Sequence, residues 1–410
     1  MTLTAPAKSR AVGLALVPLG LMFLAVGLST ALVFPFLSLF LSTDVHAGPL
    51  AVTVFLAASP LAGVVATTLV GRLSDRLPIR RWILVGAAVA GVAGTLATAF
   101  VREYWVLLAL TVTCTAAAGA LFPQTFAYAR QILERDSPAH AAVGISAMRT
   151  VFSLAWVAGP AIGALMLDLG GFRLVYTLAA AMYALAALVA FLRLEDVAVA
   201  APAGTQESAA VPAEPATRRP TLLLTALAFV LLQVPLTLGV QALPLFIAQD
   251  LHRSASNAGL ILGLCAALEI PLMLGLGMLT TRFRLRTLIL TGAACGVAYY
   301  AIALVTPGLG VLAAAQVVNA LFISAVSAVG ISYMQDMIPG EPGRATTLFT
   351  NTFPIGAVLA GPLFGVAAQL GYRSAYAIGT VLCAAGLVLL IAVRPAAPGG
   401  AARPVPPRPA

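Results

Sequence analysis

Leu262-Gly263-Leu264-Cys265-Ala266-Ala267-Leu268-Glu269-Ile270-Pro271-Leu272-Met273-Leu274 is an apolar run interrupted by a single acid. The nearest charges along the chain are Arg253 and Arg282. In a helix rising ~1.5 Å per residue these lie about 24 Å and about 20 Å from the carboxyl. That places Glu269 near the middle of a hydrocarbon core about 30 Å thick. An ionised acid costs at least ~2.5–3.5 kcal/mol at such a depth, so Glu269 is expected to be protonated part of the time or to line a wet cavity. Two readings follow: a neutral acid hydrogen-bonded between helices, or a proton or substrate site in a transporter.

The rest of the chain repeats the pattern. Of 410 residues, 61% are hydrophobic and 9% charged. No soluble domain could hide that much apolar surface, so the bilayer is the solvent for most of it. Twelve apolar runs stand between short polar breaks, at roughly 13–40, 49–71, 82–101, 104–128, 142–166, 174–192, 221–247, 256–280, 286–306, 309–333, 346–369 and 374–393. The first is free of charge from Arg10 to Asp44. That is far longer than the ~7–15-residue core of a signal peptide, so it is expected to be a retained transmembrane helix.

Between Glu195 and Pro220 the composition turns to Ala, Pro, Ser, Thr and charge, which reads as a flexible linker dividing the spans six and six. The expected organisation is a six-helix bundle over 1–194, a linker over 195–220, a second six-helix bundle over 221–394 and a disordered tail over 395–410. The fold class is an all-α integral membrane protein of twelve transmembrane helices in two pseudo-symmetric bundles.

With twelve spans the termini share one side, and among the 23 Lys and Arg only Arg102, Arg173, Arg253 and Arg373 fall on the other. The positive-inside rule then makes the terminal side cytoplasmic. The net charge of +9 therefore describes topology; no soluble basic face exists to bind nucleic acid. Cys114, Cys265, Cys295 and Cys383 all sit inside apolar runs and read as small hydrophobes, with no disulfide or metal framework. Lys8 is the only lysine, which excludes a Walker A loop downstream of it. No cofactor, metal or enzymatic nucleophile–base cluster is indicated, so an intramembrane enzyme is the least favoured class.

The halves match each other. Ala158-Gly159-Pro160-Ala161-Ile162-Gly163 recurs as Ala360-Gly361-Pro362-Leu363-Phe364-Gly365, an offset of 202. Gly171-Phe172-Arg173 is echoed by Gly371-Tyr372-Arg373. Two matched blocks, each around the fifth span of its half, make the fifth and eleventh spans equivalent elements of two related bundles.

After the second span stands Gly71-Arg72-Leu73-Ser74-Asp75-Arg76-Leu77-Pro78-Ile79-Arg80-Arg81. It resembles motif A of the major facilitator superfamily, with a proline where a glycine is usual and a loop one residue longer before the basic pair. The resemblance implies a latch between the halves, Asp75 facing the N-terminal end of the eleventh helix while Arg76, Arg80 and Arg81 meet acids or carbonyl ends. In the second half, Gly277 and Arg282 remain but Thr281 replaces the acid. Gly159-Pro160 and Gly163 resemble motif C of exporting members, Ala155 replacing its first glycine; plain close packing explains the same residues.

Longer stretches bring the resemblance closer. Pro123-Gln124-Thr125-Phe126-Ala127-Tyr128-Ala129-Arg130, Met148-Arg149, Leu268-Glu269-Ile270-Pro271 and Gln335-Asp336-Met337-Ile338-Pro339-Gly340 are similar to segments of bacterial sugar efflux transporters. Leu37-Ser38-Leu39-Phe40-Leu41-Ser42 and Ala345-Thr346-Thr347-Leu348-Phe349-Thr350-Asn351 extend this to most of the chain. The resemblance implies proton-driven export of sugars or glycosides across a bacterial cytoplasmic membrane, by a protein that needs no protein partner and is expected to be a monomer.

For a sugar, amides are apt because each pairs a donor with an acceptor, and a bare amide in hydrocarbon is costly. The candidates for substrate contact are Gln124, Gln233, Gln241, Gln316, Asn319 and Asn351, joined by Arg149 and Trp156 on one stripe of the fifth span. Gln316 and Asn319, three apart, share a helix face. The repeat offset carries Arg149 onto Asn351. Interhelical glue remains the competing role of each amide, and snorkelling that of Arg149. Glu269 is the candidate proton site, because the first span after Arg10 and the seventh carry no charge. The main alternative is a proton-coupled exporter of amphipathic drugs, which a largely aromatic and aliphatic cavity would favour.

Overall fold

The computed structural model of the chain describes residues 6–77, 79–136, 141–195, 219–338 and 341–393. Most of the linker and the whole expected tail lie outside these residues. Eleven helices among the described residues are long and apolar enough to cross a membrane. In the first half they are α1 (Val17–Thr43), α2 (Pro49–Ser74), α3 (Arg80–Phe100), α4 (Tyr104–Leu133) and the 47-residue Ala147–Arg193. The last is broken at Gly170–Gly171, where Gly171 has φ 64°, a conformation that only glycine adopts freely. It is therefore two spans, α5 (147–169) and α6 (172–193), and the chain crosses twelve times. The second half holds α7 (Pro220–Gln249), α8 (Asn257–Leu279), α9 (Leu285–Val305), α10 (Leu309–Met337), α11 (Gly343–Leu370) and α12 (Arg373–Ala392).

Within each half the helices approach through small residues. The methyl of Ala31 on α1 fills the notch at Gly159 of α5, and Tyr183 of α6 lies over Gly91 of α3. Their counterparts in the second half are Gln233 of α7 over Gly356 of α11 and Tyr300 of α9 over Gly379 of α12. Without a hydrophobic force between helices in lipid, such close packing is what holds the bundles together. Both halves also end their first helix alike: α1 runs into Asp44-Val45-His46 and α7 into Asp250-Leu251-His252, with φ 54° and 51° at the histidines. Arg102 pairs with Asp44 at 3.4 Å and lies over the Phe40 ring; Arg373 pairs with Asp250 at 3.8 Å and lies over Phe246.

The recorded contacts between the halves gather on the side away from the termini. There α8 meets α5, with no room for a side chain at Gly259, which faces Pro160 O and Ala164. Likewise α11 meets α2, Gly361 lying on Ala57 and Gly365 on Thr53. At the break in α1, Phe34–Phe36, where Pro35 can donate no hydrogen bond, Gln241 Nε2 of α7 donates to Phe34 O at 2.9 Å. Ser38 Oγ donates to Gln241 O. Towards the terminal side, by contrast, Gly71 in the last turn of α2 and Gly275 and Gly277 of α8 face open space.

Candidate functional site

A cavity of about 290 Å³ opens between the halves. The first half contributes Phe34, Trp156 and Pro160; the second contributes Glu269, Asn319 and the face of α7 that carries Gln233 and Thr237. Phe34 and Trp156 meet edge to face, ring centroids 6.0 Å apart. Glu269 lies at the middle of α8, two residues before Pro271, so the helix is short of one backbone donor there.

From Glu269 a chain of hydrogen bonds runs inward. The Cys265 thiol, one turn earlier on α8, donates to Glu269 Oε1 at 3.5 Å. Asn319 Nδ2 of α10 donates to Cys265 Sγ at 3.4 Å and to Gln316 Oε1 at 3.0 Å. Gln316 Nε2 in turn donates to the Tyr299 hydroxyl of α9 at 3.3 Å and to Leu312 O at 3.2 Å. Ser324 Oγ donates to the backbone carbonyl of Glu269 at 3.4 Å, tying α10 to α8 again. Asn319 is 7% exposed, and its Oδ1 has no partner among the described residues. A bare carbonyl oxygen in such a place is an unmet acceptor, costly unless a ligand or water meets it.

The residues singled out from the sequence fall into groups. Glu269, Trp156 and Asn319 line the cavity, and Gln316 stands behind Asn319 as its hydrogen-bond partner. Gln241 lines a smaller neighbouring cavity of about 150 Å³ and braces the α1 break. Gln124 is buried in the first half and Arg149 and Asn351 are exposed; none of the three lines the larger cavity. Asn351 marks the break between helical segments Pro342–Thr350 and Thr352–Leu370 of α11. Ser153 Oγ donates to Arg149 O, so its hydroxyl is engaged within its own helix.

Of the motif A loop, Arg80 Nη2 donates to Ser74 Oγ at 3.2 Å, and Arg81 Nη2 to Phe191 O at 2.6 Å, a carbonyl at the end of α6 in the same half. Arg76 is exposed, Gly71 has no neighbour within reach, and the Asp75 side chain lies outside the described residues. The motif C glycines pack inside the first half, Gly159 on Ala31 and Gly163 on Leu32 and Phe36, while the Pro160 carbonyl faces α8. Two participants carry no polar signal in the sequence. Cys265 reads there as a small hydrophobe and Tyr299 is not among the candidates, yet both are links in the chain from Glu269. The i,i+4 spacing of Cys265 to Glu269 was the available clue, and Tyr299 on α9 had none.

The sequence profile of the Major Facilitator Superfamily matches residues 19–241 and again 235–410. The chain belongs to that superfamily. It is 34% identical over 370 residues to sugar efflux transporter A of Dickeya chrysanthemi, covering 90% of this chain and 93% of that one. Against sugar efflux transporter A of Escherichia coli K12 it is 31% identical over 380 residues, with the same coverage. At such identity over nearly the whole length, the chain groups with these sugar efflux transporters within the superfamily, a family of transporters and not enzymes. Among solved structures, the nucleoside transporter NupG superposes with a TM-score of 0.74 over 92% of this chain and 98% of that one, at 13% identity. A D-xylose–proton symporter gives 0.71 over 93% and 97%, also at 13%. These two establish the major facilitator fold.

Proposed function

We propose that this transporter exports sugars or glycosides from the bacterial cytoplasm in exchange for protons, by alternating access of the cavity between the halves. The observation that carries the reading is the Glu269 carboxyl in the wall of that cavity, hydrogen-bonded through Cys265 to an amide with a free acceptor. With both termini cytoplasmic, as the distribution of basic residues indicates, the seam of α5 with α8 and α2 with α11 closes the outer side, and this is the inward-facing arrangement. Each bundle, 1–194 and 221–394, moves as a unit about that seam, with the 195–220 linker leaving both free. A single chain suffices for the cycle. Inward-facing, Glu269 releases its proton as sugar binds; outward-facing, it takes a proton and the sugar leaves. The chemistry needed is small: amide and hydroxyl groups for the sugar hydroxyls, aromatic rings such as Trp156 for its C–H faces, one carboxyl for the proton.

The aromatic and aliphatic share of the cavity wall, with Phe34, Trp156, Tyr300 and Phe353 beside only two amides, favours amphipathic drugs as a second reading. One assay separates them. In proteoliposomes with an imposed pH gradient, a panel of labelled mono- and disaccharides should move against the proton, and lipophilic cations should fail to compete. Sugar movement indifferent to the gradient would remove proton exchange; potent competition by lipophilic cations with no sugar flux would install the drug exporter.

A further inference from the structure

Every member of the chain Glu269–Cys265–Asn319–Gln316–Tyr299 can both donate and accept, and the chain has a direction. As it stands, donors point away from Asn319: through the thiol to Glu269 Oε1, and through Gln316 to the Tyr299 hydroxyl. This direction suits an ionised Glu269, which only accepts. It leaves Asn319 Oδ1 buried and without a partner among the described residues, although Asn319 itself lines the cavity.

A proton on Glu269 makes the carboxyl a donor, and the side-chain atom it meets is Cys265 Sγ at 3.5 Å. The thiol must then send its own hydrogen elsewhere. A half-turn of the Asn319 amide places Oδ1 where Nδ2 stood, 3.4 Å from Sγ, ready to accept it. A matching half-turn of Gln316 lets its Nε2 donate to Asn319 Oδ1 and its Oε1 accept from Tyr299. Gln316 gives up its side-chain bond to Leu312 O, whose helical backbone donor remains. No hydrogen leaves its heavy atom in this rearrangement; one proton is gained by Glu269 and four hydrogen bonds reverse.

We propose that Cys265 is the positioning residue that couples the proton to the ligand by reversing this chain, so that the Asn319 amide of the cavity wall has its oxygen unpartnered when Glu269 is ionised and engaged by the thiol when it is protonated. The ligand class is a polyol or sugar whose hydroxyl draws the Asn319 side chain outward, uncovering and meeting the buried Oδ1 in the ionised state, and is released when that oxygen is taken by the thiol. The proposal rests on the proton-exchange reading above and names the group through which it acts. The titratable groups in the cavity wall are Glu269, Cys265, Tyr299 and Tyr300; α5 and α7, packed against α8 there, bring Trp156, Pro160, Gln233 and Thr237, which do not titrate. The same carboxyl therefore sets the direction of the whole chain.

The test needs no ligand for its first arm. The S–H stretch of Cys265, isolated as the infrared difference between the purified full chain and its C265V variant, should occupy one position at high pH and another at low pH. In the E269Q variant it should stay in one position at every pH. A Cys265 band indifferent to pH and to E269Q overturns the relay. The second arm is proteoliposome efflux of labelled lactose as a function of pH. C265S, which donates and accepts, should keep the wild-type profile, while C265V should lose at least about tenfold of the pH-driven component, the worth of one hydrogen bond to a charged group. A C265V profile matching wild type, beside an E269Q that has lost gradient-driven efflux, overturns the relay and leaves proton exchange standing. If E269Q keeps gradient-driven efflux, it is the proton-exchange reading itself that fails.

Discussion

The two halves are nearly the same at their outer ends and different along their inner walls. Asp44-Val45-His46 and Asp250-Leu251-His252 repeat at an offset of 206, down to the left-handed histidine, and each is held by an arginine stacked on a phenylalanine. The two seams between the halves are built alike too, glycine against a neighbour's backbone or small side chain in both. The inner walls part company: the same offset carries Cys265 and Glu269 of α8 onto Ser59 and Gly63 of α2, and α2 holds no acid before Asp75. The duplicated parts are those a symmetric rocking motion needs, and the unduplicated part is the one that would carry a proton. On the proposed reading, closing the outer side is a shared task of both halves and coupling a task of one.

The comparison can be broken most forcefully at the seams. Gly259→Val on α8 sets a branched side chain against Pro160 O, and Gly361→Val on α11 sets one against the Ala57 backbone. Both are expected to cut transport at least about tenfold, since a misplacement of ~1 Å at a close contact can cost that much. Both should also lengthen spin-label distances across the outer ends of α5–α8 and α2–α11. A strong effect at one seam and none at the other would end the symmetric account of closure.

Smaller and deliberately unequal effects are expected inside. Asn319→Leu strands Cys265 and Gln316, and detergent melting should register a loss of about 1–3 kcal/mol, the usual penalty for buried polar groups left unpaired. Gln124→Leu in the first half removes an oxygen that already lacks a partner, so the change should stay within about 1 kcal/mol of neutral. Equal losses would erase the difference between the inner walls. Smallest of all should be Arg102→Gln and Arg373→Gln, whose ion pairs are about one-third exposed and contribute at most about 1 kcal/mol after screening. Their effects should match each other and shrink further in high salt; a large loss from either would mark a gate at that end.

The fold was legible because lipid leaves few choices: runs of ~20 apolar residues can only be helices, and a Gly-Pro block recurring at 202 residues fixes the duplication. Glu269 stood out for the same reason, as a charge with no water to excuse it. What composition could not reveal was which amides converge. Gln316 and Asn319 belong to the hydrogen-bonded chain at the cavity, whereas Arg149 and Asn351, joined by the repeat offset, are both exposed and do not line it. An offset maps one half onto the other and says nothing of which face of a helix turns inward. Cys265 and Tyr299 were illegible because a thiol and a phenol in an apolar run look like packing; only the neighbouring helix makes them polar links.

The central claim is that the one acid on the inner wall exchanges a proton for substrate. The direct measurement compares wild type with Glu269→Gln in proteoliposomes under two conditions, sugar movement driven by an imposed pH gradient and sugar-for-sugar exchange with no gradient. Gradient-driven movement should vanish in the variant while exchange persists, because an amide can still hydrogen-bond but cannot gain and lose a proton. Gradient-driven movement at the wild-type rate in Glu269→Gln would contradict the account.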